Sequence, residues 1–200
     1  LERDAPLRGR VEALHAADLE GIKTLSAELC ARMEAAPLPA GLREALRGAH
    51  AELCAANADA PVAVRSSATT EDAEDASFAG LQDTYLWVMG SEEVERQVRA
   101  CWASLYCVPS IAYRRRHGLP EAGIAMAVVV QQMVDARCAG VMFTRSPTTG
   151  DRSVIVIEGA WGLGSAVVSG EVTPDRFVVG KITGEVSVRD IRDKHVRHVP

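Results

Sequence analysis

No Cys-x-x-Cys pair occurs in this chain of 200 residues, so a zinc ribbon or a thioredoxin-type redox centre lacks its ligand spacing. The five cysteines (Cys30, Cys54, Cys101, Cys107 and Cys138) are an odd number and read as reduced thiols. An excess of cations is missing too. The 22 basic and 27 acidic residues leave a net charge of −5, and no global basic field draws in a nucleic-acid backbone. No run approaches the roughly 18 apolar residues of a membrane span, and the opening stretch lacks the apolar centre of a signal peptide. Low-complexity segments and internal repeats are absent. Gly162-Leu163-Gly164 has Val167, not glycine, where G-x-G-x-x-G would close, and no G-x-x-x-x-G-K-[ST] run exists. These absences point to a cytoplasmic protein with neither nucleic acid nor membrane as partner.

What is present is an ordinary globular composition, 48% apolar and 24% charged, with chain enough for a real core. Apolar residues recur at helical spacing through Leu7, Val11 and Leu14, then after Asp18 through Ile22, Leu25, Leu29 and Met33. Pro37 and Pro39 stop that stripe, and a third helix follows over Leu42 to Leu53. Residues 1–60 therefore read as a helical lead-in, and residues 61–200 as the region that carries the chemistry. From Val62 the period changes to that of strands. In "DTYLWVMG" Thr84, Leu86 and Val88 alternate with Tyr85, Trp87 and Met89. Gly90 and Ser91 open a further helix whose buried face is Val94, Val98, Cys101 and Leu105. Helices first and strands later predict an α+β fold, with a largely antiparallel sheet over residues 124–190.

One stretch, "VAVRSSATTEDAEDASFAG" from Val62 to Gly80, asks for a chemical reading. An apolar strand run ends at Arg65, and hydroxyls, acids and small residues follow. A guanidinium is permanently charged and forks onto phosphate oxygens. The "SSATTED" hydroxyls and amides would serve the same anion, and Gly80 leaves the loop free to close. Residue types alone leave open a second role for Arg65, as a surface partner of Glu71, Asp72, Glu74 or Asp75. The glycines at 159, 162, 164 and 170 read first as a bulge or sharp turn at a sheet corner. "VVVQQMVD" reads as a buried strand with Gln131 and Gln132 at its rim, where an amide could read the edge of a base. Trp87, Trp102 and Trp161 read as packing residues, and Tyr113–Gly118 as a basic helix end. His195 and His198 have only Asp190 and Asp193 near them in sequence, so no metal site is expected.

The order of these pieces is more specific than any one of them. "PVAVRSSATTEDAEDASFAGLQDTYLWVMG", "VVVQQMV", "AGVMFTRSPTTGDR" and "WGLGSAVVSGEVTPDRFVV" together resemble the nucleotide-binding domain of the phosphoenolpyruvate synthase and pyruvate phosphate dikinase family. Rifampin phosphotransferases share that domain. The resemblance implies an ATP-grasp-like fold whose parts close on Mg-ATP. It also implies transfer of the ATP β-phosphate to a histidine on a separate swivelling domain, and then to a small acceptor on another. By resemblance Arg65 holds the triphosphate and acts on it, Gly80 belongs to the closing loop, and Thr84 adds a nucleotide contact. Gln131, with Met133 and Val134 behind it, resembles the hinge that reads adenine. Ser146 and Ser165 stand where the family carries acids. No phosphate-binding lysine loop, metal-ligand segment or phosphohistidine motif is found, and Lys23 sits in helical text. The chain reads as the middle of an ATP-grasp domain, with its Mg²⁺ ligands expected outside it and weak ATP binding by itself. A catalytically inactive nucleotide-binding or interaction module is the alternative.

Overall fold

The computed structural model describes residues 5–14, 18–57, 60–69, 72–73, 76–77, 84–120 and 124–199. In chain order its elements are α1 (Ala5–Leu14), α2 (Leu19–Ala35), α3 (Ala40–Leu53), β1 (Val62–Ala68), β2 (Asp72–Ala73) and β3 (Ala76–Ser77). Next come β4 (Thr84–Val88), α4 (Ser91–Ser104), α5 (Val108–Arg116), β5 (Met126–Gln132), β6 (Cys138–Phe143) and β7 (Val154–Trp161). The short α6 (Ser165–Val168), β8 (Asp175–Gly180) and β9 (Val186–Asp190) complete the chain. Every strand pair is antiparallel, as an α+β fold of this kind requires. Two compact units divide between Met133 and Val134. Helices α1–α3 thus share the first unit with β1, β4 and β5. Among the described residues no helix is long and apolar enough to cross a membrane.

Local sequence accounts for the helix ends. Asp18 caps α2, its carboxylate accepting the Gly21 N–H at 2.8 Å, which satisfies one orphan amide of the first turn. Pro37 and Pro39 keep α2 from continuing, and α3 starts directly after Pro39. Glu92 and Glu93 fill the first turn of α4, where the helix dipole favours acids. The buried face of α4 is the one read from the sequence: Val94, Val98 and Cys101, with Leu105 just beyond. Three of these pack with Val62 and Val64 of β1 and Val88 of β4. At roughly 1.5–3 kcal/mol for each large side chain fully buried, this contact holds α4 against one face of the three-stranded sheet β4-β1-β5. A second cluster joins Val11 and Leu14 of α1 to Ile22 and Leu29 of α2 and Ile111 of α5. The buried Glu95 accepts Arg47 Nε at 2.6 Å, with Arg43 at 3.3 Å, and so ties α3 to α4.

Four sequence expectations are corrected. The sheet expected over residues 124–190 is divided, because β5 pairs with β1 while β6-β7-β8-β9 form a separate four-stranded sheet. Strand β1 does not stop at Arg65 but runs on to Ala68. The alternation in β4 breaks at a bulge, where Trp87 takes φ +61° and the register with β1 slips between Val62 and Val64. Thr84 and Leu86 are therefore exposed while Val88 turns into the core; an inserted residue swaps the face of everything after it. Strand β5 is not buried on both sides: its residues alternate half-buried and exposed, and Val129 is 47% exposed.

In the second unit the hairpin between β8 and β9 closes with Gly184 at φ +69° and its N–H on Gly180 O at 2.8 Å. Strands β6 and β7 approach so closely at Gly140 that an added Cβ would lie 2.2 Å from Glu158 O and 2.9 Å from Gly159 Cα. The segment after β9 is fastened by Asp175. Its carboxylate accepts the Arg192 N–H at 2.9 Å and the ammonium of Lys194, whose side chain is almost wholly buried.

Two predictions follow from these contacts. Gly140→Ala is expected to lower stability by roughly 1–3 kcal/mol, because backbone must move, whereas Gly48→Ala in open space on α3 should raise it by about 0.5–1 kcal/mol. Urea midpoints of both variants check this, and equal shifts of one sign would refute it. The bond from Lys194, then that from the Arg192 amide, holds the Asp175 carboxyl below its ordinary value. A depressed folded pKa stabilises above the unfolded value of about 4. That contribution should shrink as pH falls below about 4 and be gone below the folded value. The stability gap between wild type and Asp175→Asn should accordingly stay level from pH 7 to 5 and narrow towards pH 3. A level gap down to pH 3 would count against it.

Candidate functional site

The central strand β1 has two faces. Val62, Val64 and Ala68 are buried on one face; on the alternate face Ala63 is buried too, while Arg65 and Ser67 are exposed. Residues directly opposite in an antiparallel ladder share a face and lie ~5 Å apart at Cβ. Arg65 is paired with Thr84 on one side and with Val129 on the other. Gln131 follows two residues along β5, opposite Ala63. Three of the residues singled out from the sequence, Arg65, Thr84 and Gln131, therefore lie on one sheet face, each of them exposed. Between the cation and the amide stands the exposed apolar surface of Val129.

The two adjacent glutamines are separated by the same alternation. Gln132 sits on the core side and its amide donates to Leu53 O at the end of α3, a structural bond. Gln131 is exposed and forms no side-chain hydrogen bond among the described residues. Arg65 likewise forms no ion pair among them. Of its possible acidic partners, Glu71, Glu74 and Asp75 lie outside the described residues, as does Gly80. Met133 is half-buried, and its N–H on Pro61 O at 2.9 Å extends the β1–β5 ladder by one bond. Val134, 72% exposed, begins the second unit.

The second unit has an open feature of its own. A slot of about 390 Å³ runs over one face of β6–β8, floored by Gly140 and Gly159 and walled by Ile157, Phe177 and Trp161. Trp161 is 50% exposed, with the Arg137 guanidinium 6.0 Å from its ring centroid. This corrects its reading as a packing residue: it ends β7 opposite Cys138 and stays half exposed beside Arg137. Trp102 does pack, and its indole N–H bonds Met126 O at 3.2 Å.

Ser146 and Ser165 are both engaged. Ser146 is buried and its Oγ accepts the Thr149 N–H at 3.1 Å inside a turn closed by Gly150 N–H on Ser146 O. Ser165 Oγ lies 2.7 Å from His198 Nδ1, and His198 Nε2 lies 3.0 Å from Glu171. Sequence reasoning found no acid for His198 because Glu171 stands 27 residues away. The one local signal was Gly162, the glycine that lets the terminal segment come close. Among the described residues no group of three or more His, Cys, Asp or Glu side chains is placed to hold a metal ion.

Residues 4–200 match the family described as pyruvate phosphate dikinase, AMP/ATP-binding domain. A probable phosphoenolpyruvate synthase of Staphylothermus marinus is 48% identical over 162 residues, covering 79% of this chain and 19% of that protein. One of Methanothermobacter thermautotrophicus is 43% identical over 188 residues, 93% of this chain and 27% of its own length. A rifampicin phosphotransferase of a Streptomyces species is 44% identical over 191 residues, 94% of this chain and 21% of its own. The chain thus spans between 19% and 27% of the length of these relatives. With an α+β antiparallel architecture and a match over nearly its whole length, the chain belongs to the family of pyruvate phosphate dikinase AMP/ATP-binding domains.

Proposed function

We propose that this chain is the ATP-binding part of a phosphotransferase resembling phosphoenolpyruvate synthase. ATP gives its β-phosphate to a histidine on a separate swivelling domain, and that phosphohistidine passes it to a small acceptor on a further domain. The observation that supports this most is the common face of Arg65, Thr84 and Gln131. Arg65 offers two parallel N–H bonds to phosphate oxygens from the middle of a paired strand, which fixes the fork better than a loop would. Thr84, its direct neighbour on β4, adds a hydroxyl to the same anion. Gln131 presents an amide to the edge of the adenine, with Met133 and Val134 continuing the chain beside it. Gly80 serves the closing loop.

Mg²⁺ belongs to the reaction through ligands outside this chain, and no step is assigned to it here. The acceptor is also chosen elsewhere. A phosphoenolpyruvate synthase and a rifampicin phosphotransferase match this chain at 43% and 44% identity, so their shared part does not distinguish pyruvate chemistry from a drug. One observation favours the second reading, a nucleotide-binding module without catalysis: Ser146 and Ser165 replace two acids and spend their hydroxyls on a turn and on His198. An acceptor-histidine domain encoded in the same reading frame would decide for the enzyme.

In the whole protein, Arg65→Ala is expected to reduce phosphohistidine formation from labelled ATP by on the order of a hundredfold, or ~2–4 kcal/mol of lost charge stabilisation. Arg65→Lys should restore little, since a point charge does not reproduce the fork. Because Arg65 is exposed, thermal melts of both variants should stay within ~0.5 kcal/mol of wild type. Normal turnover by Arg65→Ala would leave Arg65 a surface charge and remove it from the site.

A further inference from the structure

Ser165, Glu171 and His198 form a hydrogen-bonded relay that the nucleotide reading does not use. Ser165 Oγ is 2.7 Å from His198 Nδ1, and His198 Nε2 is 3.0 Å from Glu171 Oε2. The other Glu171 oxygen accepts the Ser169 hydroxyl at 2.9 Å. That bond first, and the one from His198 second, hold the Glu171 carboxyl below its ordinary range. An ionised carboxylate only accepts, so in the neutral imidazole the ring proton sits on Nε2 and the lone pair is left on Nδ1. Nδ1 then accepts the Ser165 proton. The direction of the whole chain follows from its acid end.

The ring is also held in place by backbone. Gly162 and His198 form a parallel bridge, and the Leu163 N–H bonds His198 O at 2.9 Å. Gly162 lies at φ +80°, and a Cβ there would stand 2.1 Å from that carbonyl. Only glycine admits the terminal segment so near the loop that presents Ser165. The charged groups around the imidazole are Glu171, in contact with it, and Arg197, whose side chain lies against Gly162. The Ser165 side chain is half-buried and the His198 side chain is 30% exposed, so a small molecule reaches the hydroxyl.

We propose that Ser165 is an activated nucleophile, with His198 as its general base and Glu171 as the positioning residue, and that it takes acyl groups from small activated esters. The Ser165 oxygen forms a bond to the ester carbonyl carbon as its proton passes to His198 Nδ1. The bond to the leaving oxygen breaks, and the leaving group takes that proton away as an alcohol or phenol. Water, activated by the same nitrogen, then attacks the acyl-serine; the carboxylic acid leaves and Ser165 regains its proton. Nucleophile bonded to base, and base bonded to an orienting acid, is the geometry this chemistry asks for.

The test uses the whole protein with p-nitrophenyl acetate and a fluorophosphonate probe, followed by peptide mapping. Wild type should release p-nitrophenol and carry the probe on Ser165. Ser165→Ala should lose the label, and His198→Gln should slow labelling roughly a hundredfold, the scale of general-base assistance. Glu171→Gln should slow it less, and Glu171→Asp, which keeps an acceptor for the ring N–H, should recover part of the rate. A merely structural Glu171 would show no such rescue by aspartate. Probe on other residues only, or the same rate in His198→Gln as in wild type, overturns the proposal. The wild-type map needs no variant to fold, and no outcome depends on ATP binding.

Discussion

Strands β1 and β5 pair without interruption from Val62↔Gln132 to Ala68↔Met126, and that register decides what every neighbouring residue can do. Side chains on a strand alternate with period two, so a slip of one position would move each of them to the opposite face. Val62 and Val64 would leave the core they share with Val94, Val98 and Cys101, and Arg65 would enter it. Burying an unpaired guanidinium among these apolar groups costs several kcal/mol. The same contacts that build the core thus also keep Arg65 outside it. Register and charge placement are one constraint.

The constraint extends to both flanking strands. On β5 it places Val129 and Gln131 on the open face and commits Gln132 to Leu53 O. On β4 it places Thr84 beside Arg65, and the bulge at Trp87 then returns Val88 to the core. Without that inserted residue, Val88 would follow Thr84 and Leu86 outward. The bulge reconciles a polar start of β4, which serves the open face, with an apolar end that must meet α4. Paired backbone on both sides fixes where the Arg65 side chain leaves the sheet.

Much of the first unit was legible in the sequence because its signals are local. Asp18 as a cap, the two prolines as stops, and the Val94–Val98–Cys101 stripe each depend on residues within a few turns. The fold class followed from the order of helical and strand-like text. What was not legible depended on pairing across long separations. Nothing local tells β5 to pair with β1, about sixty residues upstream, and not with β6 just after it, so the two sheets were read as one. The end of β1 was misplaced because "RSSA" is polar, and polarity marks a loop only if both faces of the strand are buried. Here one face is open. Arg65 and Gln131 stood out by residue type and Thr84 through the family resemblance, and their shared face comes from the register.

The glycines teach a different lesson, since a glycine-rich stretch reads first as a bulge or sharp turn. At Gly140 the missing side chain admits the backbone of β7. At Gly162 it admits His198 O, and the bridge made there carries the imidazole to Ser165. Both glycines are needed for close approach of protein to protein. A side chain at 162 would not merely crowd a turn; it would push away the terminal segment and with it the imidazole at Ser165 and Glu171. The motif is therefore structural in its glycines and chemical in the serine that follows them. That distinction appears only once residues 33 apart are brought within hydrogen-bonding distance.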